Sequence, residues 1–231
     1  MLSKLDAILE IFRNKRLRGW IIDKPESPRW WGGLNSPEEI AISAILVQLT
    51  RWENVERALE NLRKHGLLDI RKLGDVDEGQ LGEIIKPVGL RRSKARCLIE
   101  FSKRVTEIGG LEKLRTMDID VVRSFLLSIK GIGRETADAI ILFALNKPTF
   151  PVSEYVKRVL GRVLSLERTD YETLRKIIVG HFRNQLYPLK LLYAGITTVG
   201  KYYCKRRPKC HECPLNRLCE NKLSGNIKYS I

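Results

Sequence analysis

Residues 126–140 read LLSIKGIGRETADAI, and this stretch decides the fold. Apolar residues close one helix, Gly131-Ile132-Gly133 make a tight turn, and Ala137, Ile140, Ile141, Ala144 and Leu145 give the next helix an apolar face. Glycines let such a turn bring its backbone N–H groups against a flat polar surface with no Cβ in the way. At a helix start those groups point outward without intrahelical partners, which suits a phosphate. Lys130 and Arg134 place charge on either side of the turn. A plain helix–turn–helix corner also tolerates G-x-G, so the DNA-binding reading draws on the flanking pattern and on the basic balance of the chain.

Outward from this hairpin, helical periodicity dominates and no run of alternating strand residues occurs. The pattern predicts helices over residues 3–15, 54–64, 77–85, 93–108, 118–128, 134–145, 154–164, 170–183 and 186–200. Ser36-Pro37-Glu38-Glu39 is a helix start three times over: a Ser cap, Pro at the first position, and Glu three residues after the cap. The helix that follows carries Ile42, Ile45, Leu46 and Leu49 on one side. Repeats and low-complexity tracts are absent. The fold class is all-α.

Lys and Arg outnumber Asp and Glu by 42 to 27, a net charge of +15 on 231 residues. That excess calls for a polyanionic partner, nucleic acid ahead of membrane because no basic amphipathic helix stands out. No stretch of eighteen apolar residues occurs and MLSKLDAILEIF lacks a signal-peptide layout, so a soluble, cytoplasmic protein is expected. With 43% hydrophobic residues there is ample core for one large domain or two small ones. Charged residues make up 30% and Gln occurs only at 48, 80 and 185, a mix that hot environments favour.

Four of the five cysteines, Cys204, Cys210, Cys213 and Cys219, fall in a C-x5-C-x2-C-x5-C loop of mostly polar residues. Such a loop has little apolar surface to bury, and four converging thiolates would hold it. Zinc usually takes two short Cys pairs, and only one is present. The wider gaps suit a cuboidal [4Fe–4S] cluster, whose irons each take one thiolate, with zinc as the alternative. Two disulfides would need an oxidising compartment, to which nothing in the chain points. Cys97, beside Leu98 and Phe101, reads as a core thiol. His65 and His181 have no matching ligand set, and His211 lies between two of the loop cysteines, whose four thiolates already suffice.

LLSIKGIGRETADAI resembles the helix–hairpin–helix element of the endonuclease III superfamily of DNA glycosylases. The cysteine loop is similar to that superfamily's cluster loop, one residue shorter in its first gap. ILVQLT at 45–50 is similar to the family's Gln-bearing helix, and IKPVGLRRSKA at 85–95 to its second glycine turn. The resemblance covers nearly the whole chain. It implies two helical domains, residues 32–140 and residues 1–31 with 141–231, with double-stranded DNA bearing a damaged base across the groove between them. It also implies a monomer, nucleoid-associated if the source is prokaryotic.

Glycosylases of this kind flip a base out of the duplex and cut its bond to the sugar. By resemblance, Gln48 would fill the gap left by the base and Leu90 would wedge the opposite strand; read from the residues alone, Gln48 is a buried amide with its bonds satisfied and Leu90 an ordinary turn residue. Of Trp30 and Trp31, one stacks on the everted base and the other packs, or both pack between domains. The basic run Lys205, Arg206, Arg207 and Lys209, held by the cluster, would contact phosphates, or is simply a solvated face.

Two catalytic positions depart from the pattern. Where strand-nicking members carry a Schiff-base Lys, this chain has Glu135, and a carboxylate cannot form an imine. Only an amine from elsewhere, Lys157 or Lys130, would restore lyase chemistry. Where the family carries a catalytic Asp, this chain has Ser153, in the run PVSEYVKRV. Ser caps a helix as well as Asp does, but brings no negative charge to a cationic sugar. Glu154 is a possible substitute, although one residue along a helix turns the side chain by about 100°. Otherwise the site suits a labile, cationic alkylated purine, or the chain is an inactive version, natural or engineered, that binds damaged DNA. The wording KGIG-x-E-TADAI and the Trp pair look most like an endonuclease III-related group that includes 3-methyladenine glycosylases, which tilts the substrate toward alkylated bases.

Overall fold

A computed structural model of the chain describes residues 2–166 and 170–220. Its regular elements are helical throughout. In chain order they are α1 (Leu2–Arg13), α2 (Pro37–Leu46), α3 (Trp52–Lys64), α4 (Ile70–Leu73), α5 (Glu78–Ile84), α6 (Arg91–Glu107), α7 (Gly110–Thr116), α8 (Ile119–Leu127), α9 (Arg134–Ala139), α10 (Glu154–Val163), α11 (Tyr171–His181) and α12 (Leu186–Tyr202). The all-α expectation is met. The short α4 and α7 carry too few residues for their periodicity to show. The last helix of the hairpin changes character after α9: Ile140–Ala144 is π-helical, with the Leu145 amide reaching back to the Ile140 carbonyl at 3.0 Å.

The chain divides into two units, Glu26–Lys147 and Met1–Pro25 with Pro148–Ile231. These boundaries differ from 31/32 and 140/141. The Trp30–Trp31 segment belongs to the central unit because Trp31 Nε1 donates to Ser43 Oγ at 2.9 Å and its ring lies 4.9 Å from that of Phe143. Residues 141–147 stay there too. The π-helical turn packs on α2, and Lys147 Nζ donates to the Arg115 carbonyl at 2.8 Å.

In the central unit α2 is buried on all sides, Glu39 to Leu46. Ser36 caps it as expected, its Oγ accepting from the Glu39 amide at 3.1 Å. Glu39 does not return the bond to its cap residue. Its carboxylate accepts from the Asn35 amide at 2.8 Å and from Arg63 at 2.8 Å, so a nearly buried acid is fully partnered. The helix also stops earlier than its apolar pattern implies. It ends at Leu46, and Leu49 lies beyond it, 92% exposed, rather than on the buried face.

In the terminal unit α12 is the axis, packed by α10 and by α1. Small residues set those approaches. A Cβ on Gly195 would fall 2.0 Å from the Phe12 ring, and one on Gly200 2.7 Å from Tyr155.

Candidate nucleic-acid interface and cysteine centre

The hairpin joins α8 to α9 through residues 128–133. Ile129 and Ile132 are buried anchors, while Lys130, Gly131, Gly133, Arg134 and Glu135 are exposed. Gly131 is required twice over. Its φ is +98°, and a Cβ would lie 3.1 Å from the Cys97 sulfur. Cys97 is the core thiol the sequence suggests, and burial pushes it up to about 12. Asp138, in α9, is wholly buried and held in a fork by Arg123, Nε to Oδ1 at 3.0 Å and Nη2 to Oδ2 at 3.2 Å. This ion pair ties α8 to α9 across the turn.

Two further turns share the hairpin's framework. Gln48, half-buried just past α2, donates from Nε2 to the Gly131 carbonyl at 3.1 Å. Gly89 and Leu90 precede α6, at φ +65° and +46°, and Leu90 is 61% exposed. Between these turns lies Lys94. Its ammonium is buried and donates to the Leu46 and Val88 carbonyls, both at 2.9 Å. Burial pulls its pKa down, to about 8. Trp30 and Trp31 are both buried, and Trp31 meets Trp52 edge-on at 6.4 Å.

In the terminal unit Ser153 is buried and caps α10, its Oγ accepting from the Val156 amide at 3.3 Å. Glu154 points to solvent, 80% exposed, and pairs with Lys157 at 2.8 Å. The same helix holds the cysteine loop. Arg158 Nε donates to the Cys204 carbonyl at 2.7 Å and Nη2 to the Gly200 carbonyl at 3.0 Å. The buried Arg162 donates from Nη1 to Cys204 Sγ at 3.2 Å and to the Lys205 carbonyl at 2.8 Å.

Cys204, Cys210, Cys213 and Cys219 line one cavity, walled by Val159, Val163, Val199 and Pro208. Burial pushes the Cys213 thiol up to about 11; the Leu215 amide opposes this and the other three sulfurs add to it. Among the described residues no three Cys, His, Asp or Glu side chains come together closely enough to hold a single metal ion. Lys205, Arg206, Arg207 and Lys209 are exposed on the loop. No described helix is long and apolar enough to cross a membrane.

A model of the HhH-GPD superfamily of base excision DNA repair proteins matches residues 42–182. The chain belongs to this superfamily.

The match takes in the hairpin, the turns that carry Gln48 and Leu90, and α10. A Methanocaldococcus jannaschii protein with the provisional name DNA repair glycosylase is 35% identical over 224 residues, covering 95% of this chain and 99% of its own. Among solved structures, a non-covalent endonuclease III–DNA complex superposes with a TM-score of 0.70 at 21% identity, covering 95% of this chain and 93% of that one. The H. pylori 3-methyladenine DNA glycosylase bound to 1,N6-ethenoadenine gives 0.69 at 24%, covering 87% and 96%. These likenesses establish the HhH-GPD fold.

Sequence reasoning missed Lys94, Arg123, Arg158 and Arg162. Two of them left a signal. Lys94 precedes Cys97, Leu98 and Phe101 at helical spacing, and Arg162 follows Val159 by three, so each cation sits on an apolar face.

Proposed function

We propose that the chain is a monofunctional DNA glycosylase that flips a damaged base, an alkylated purine first among them, out of duplex DNA and hydrolyses its bond to the sugar. The observation that carries this reading is the bond from Gln48 to Gly131. It builds the base-replacing side chain onto the turn that grips phosphate. Glu135 occupies the position of the Schiff-base amine and is exposed, so water is the nucleophile. Water oxygen bonds to the sugar C1′ and loses a proton, while the base leaves with the electron pair of the glycosidic bond. A purine that alkylation has made cationic leaves as a neutral molecule and needs no proton from the enzyme. Such a substrate makes the least demand on the charge that Ser153 lacks.

The four-cysteine cavity fits a [4Fe–4S] cluster, with one thiolate for each iron. Arg162 donates an N–H to Cys204 Sγ and the Leu215 amide donates one to Cys213, bonds that favour thiolates at both. Held by these four thiolates, a cluster would fix the loop that carries Lys205, Arg206 and Arg207 against phosphates, with zinc as the alternative occupant.

A second reading is favoured by one observation. Ser153 is a buried cap with its hydroxyl committed to Val156, and Glu154 is turned to solvent against Lys157. A chain with no carboxylate at the sugar would bind damaged DNA without cutting it. Base release separates the two. Duplexes with alkylated, oxidised, deaminated and mismatched bases are incubated with the protein, then heated in alkali to break abasic sites. Release from alkylated duplexes, with no borohydride-trapped adduct, is expected. A trapped adduct would assign Lys157 or Lys130 as a lyase amine, and no release from any duplex would leave the damage-binding reading.

A further inference from the structure

Two leucines of the central unit sit where leucine is least at home. Leu49 is 92% exposed at φ +53°, and Leu90 is 61% exposed at φ +46°. A single exposed leucine is ordinary. Exposure combined with a left-handed backbone is not, because glycine or asparagine makes such a turn with less strain. Strain of this kind persists where the surroundings over-determine it, and here they do. Lys94 fastens the chain three residues before Leu49 and two residues before Leu90, through the Leu46 and Val88 carbonyls. Gln48, next to Leu49, is bonded to the hairpin at Gly131. Each leucine is followed two residues later by an exposed arginine, Arg51 and Arg92.

We propose that Leu49 is a second wedge, inserted into the base stack on the strand that carries the lesion while Leu90 enters the opposite strand. This rests on the glycosylase reading above and adds a residue that parts the lesion from its neighbours. Apolar side chains driven between base steps unstack them and kink the duplex. The entering leucine exchanges water for the faces of bases, and a turn held from two sides cannot fold it back. Arg51 and Arg92 then lie one short step from the phosphates beside each entry point. The net charge of +15 and these two arginines favour a polyanion over an apolar groove on another protein.

The test uses the full chain and a duplex with a tetrahydrofuran abasic analogue, which cannot be cleaved by a glycosylase. 2-Aminopurine stands either beside the analogue on its own strand or opposite it, and its fluorescence rises when it is unstacked. Leu49→Asn and Leu90→Asn both suit a left-handed backbone, with Leu49→Gly as a second choice, and thermal melting checks the fold. The unsubstituted chain is expected to raise both signals. Leu49→Asn should lose the same-strand rise and keep the other. It should lower the preference for the abasic over the undamaged duplex by roughly tenfold, as loss of one buried leucine side chain implies. If Leu49→Asn keeps the same-strand signal and the preference, Leu49 is no wedge. A rise at the opposite probe alone in the unsubstituted chain would also remove the second wedge but leave the glycosylase reading standing. No rise at either probe would remove both.

Discussion

On the glycosylase reading proposed above, Ser153 stands where an Asp would both cap α10 and bring charge to the sugar. As a cap it is complete, since its Oγ takes the Val156 amide and its position is buried. As a charge it is silent. Ser153→Asp keeps an oxygen for the same amide, and Asp and Ser cap almost equally, so thermal stability should change by less than about 1 kcal/mol. Base release should respond far more. A unit charge about 4 Å from a cationic sugar is worth about 4 kcal/mol at an intermediate effective dielectric, or roughly a thousandfold in rate. Single-turnover kinetics on a duplex with a stable glycosidic bond would show the gain, and an alkylated purine should gain less because its base leaves unaided. Ser153→Ala supplies the converse, losing about 1 kcal/mol of stability through the empty cap while base release stays as it was. Equal rates for Ser153→Asp and the unsubstituted chain would mean that this position does not face the sugar.

Among the elements, the hairpin, the Gln48 turn bonded to it and the Leu90 turn tied to that one through Lys94 answer to the same few contacts. Gly131→Ala forces a side chain onto φ +98° and within 3.1 Å of the Cys97 sulfur. A loss of about 1–3 kcal/mol is expected in urea denaturation, with weaker binding to any duplex, because the Gly131 carbonyl that holds Gln48 must move. Lys94 gives this framework a pH dependence. Burial holds its ammonium down, to about 8, whereas the unfolded chain keeps that proton to about pH 10.4. Between these values the unfolded state binds more protons, so stability from this group rises with pH across the window. Below it both states are charged and the cost of burying the ammonium is fully present. Measured against Lys94→Met at about pH 7 and about pH 10, the unsubstituted chain should gain up to about 3 kcal/mol. A difference that does not move with pH would mean that the amine keeps its charge between the two carbonyls. The hairpin was legible in the sequence because GIG sits between two apolar helices. The end of α2 was not. Leu49 continues the apolar spacing of Ile42, Ile45 and Leu46, and no Gly or Pro marks the stop. What ends the helix is Lys94, forty-eight positions away, taking the Leu46 carbonyl. A long-range donor of this kind leaves no trace in local periodicity.

On the scale of the whole molecule, charge and cysteines were readable at once, because neither depends on knowing which residues meet. What the sequence could not supply is how the cysteine loop is held. Arg158 and Arg162 lie more than forty positions before it, and helix α10, which begins at the Ser153 cap, carries both to Cys204. One helix therefore joins the Ser153 cap to the first cysteine of the loop. Arg162 is the tighter link, buried and donating to both Cys204 Sγ and the Lys205 carbonyl. Arg162→Met keeps most of the packing volume but leaves that carbonyl without its cation, at about 1–3 kcal/mol. The purified chain should carry four irons and four sulfides with a brown visible absorbance, and Arg162→Met should bleach faster in air than the unsubstituted protein. Once bleached, the loop no longer presents Lys205, Arg206 and Arg207 as a fixed group. The dependence of duplex binding on salt should then flatten, with the slope of log K against log salt falling by about one for each phosphate the loop no longer neutralises. Metal analysis that found one zinc and no sulfide would replace the cluster with the alternative ion. A bleached protein with an unchanged salt slope would show that the basic loop keeps its place without the metal, and would move phosphate binding back to the hairpin alone.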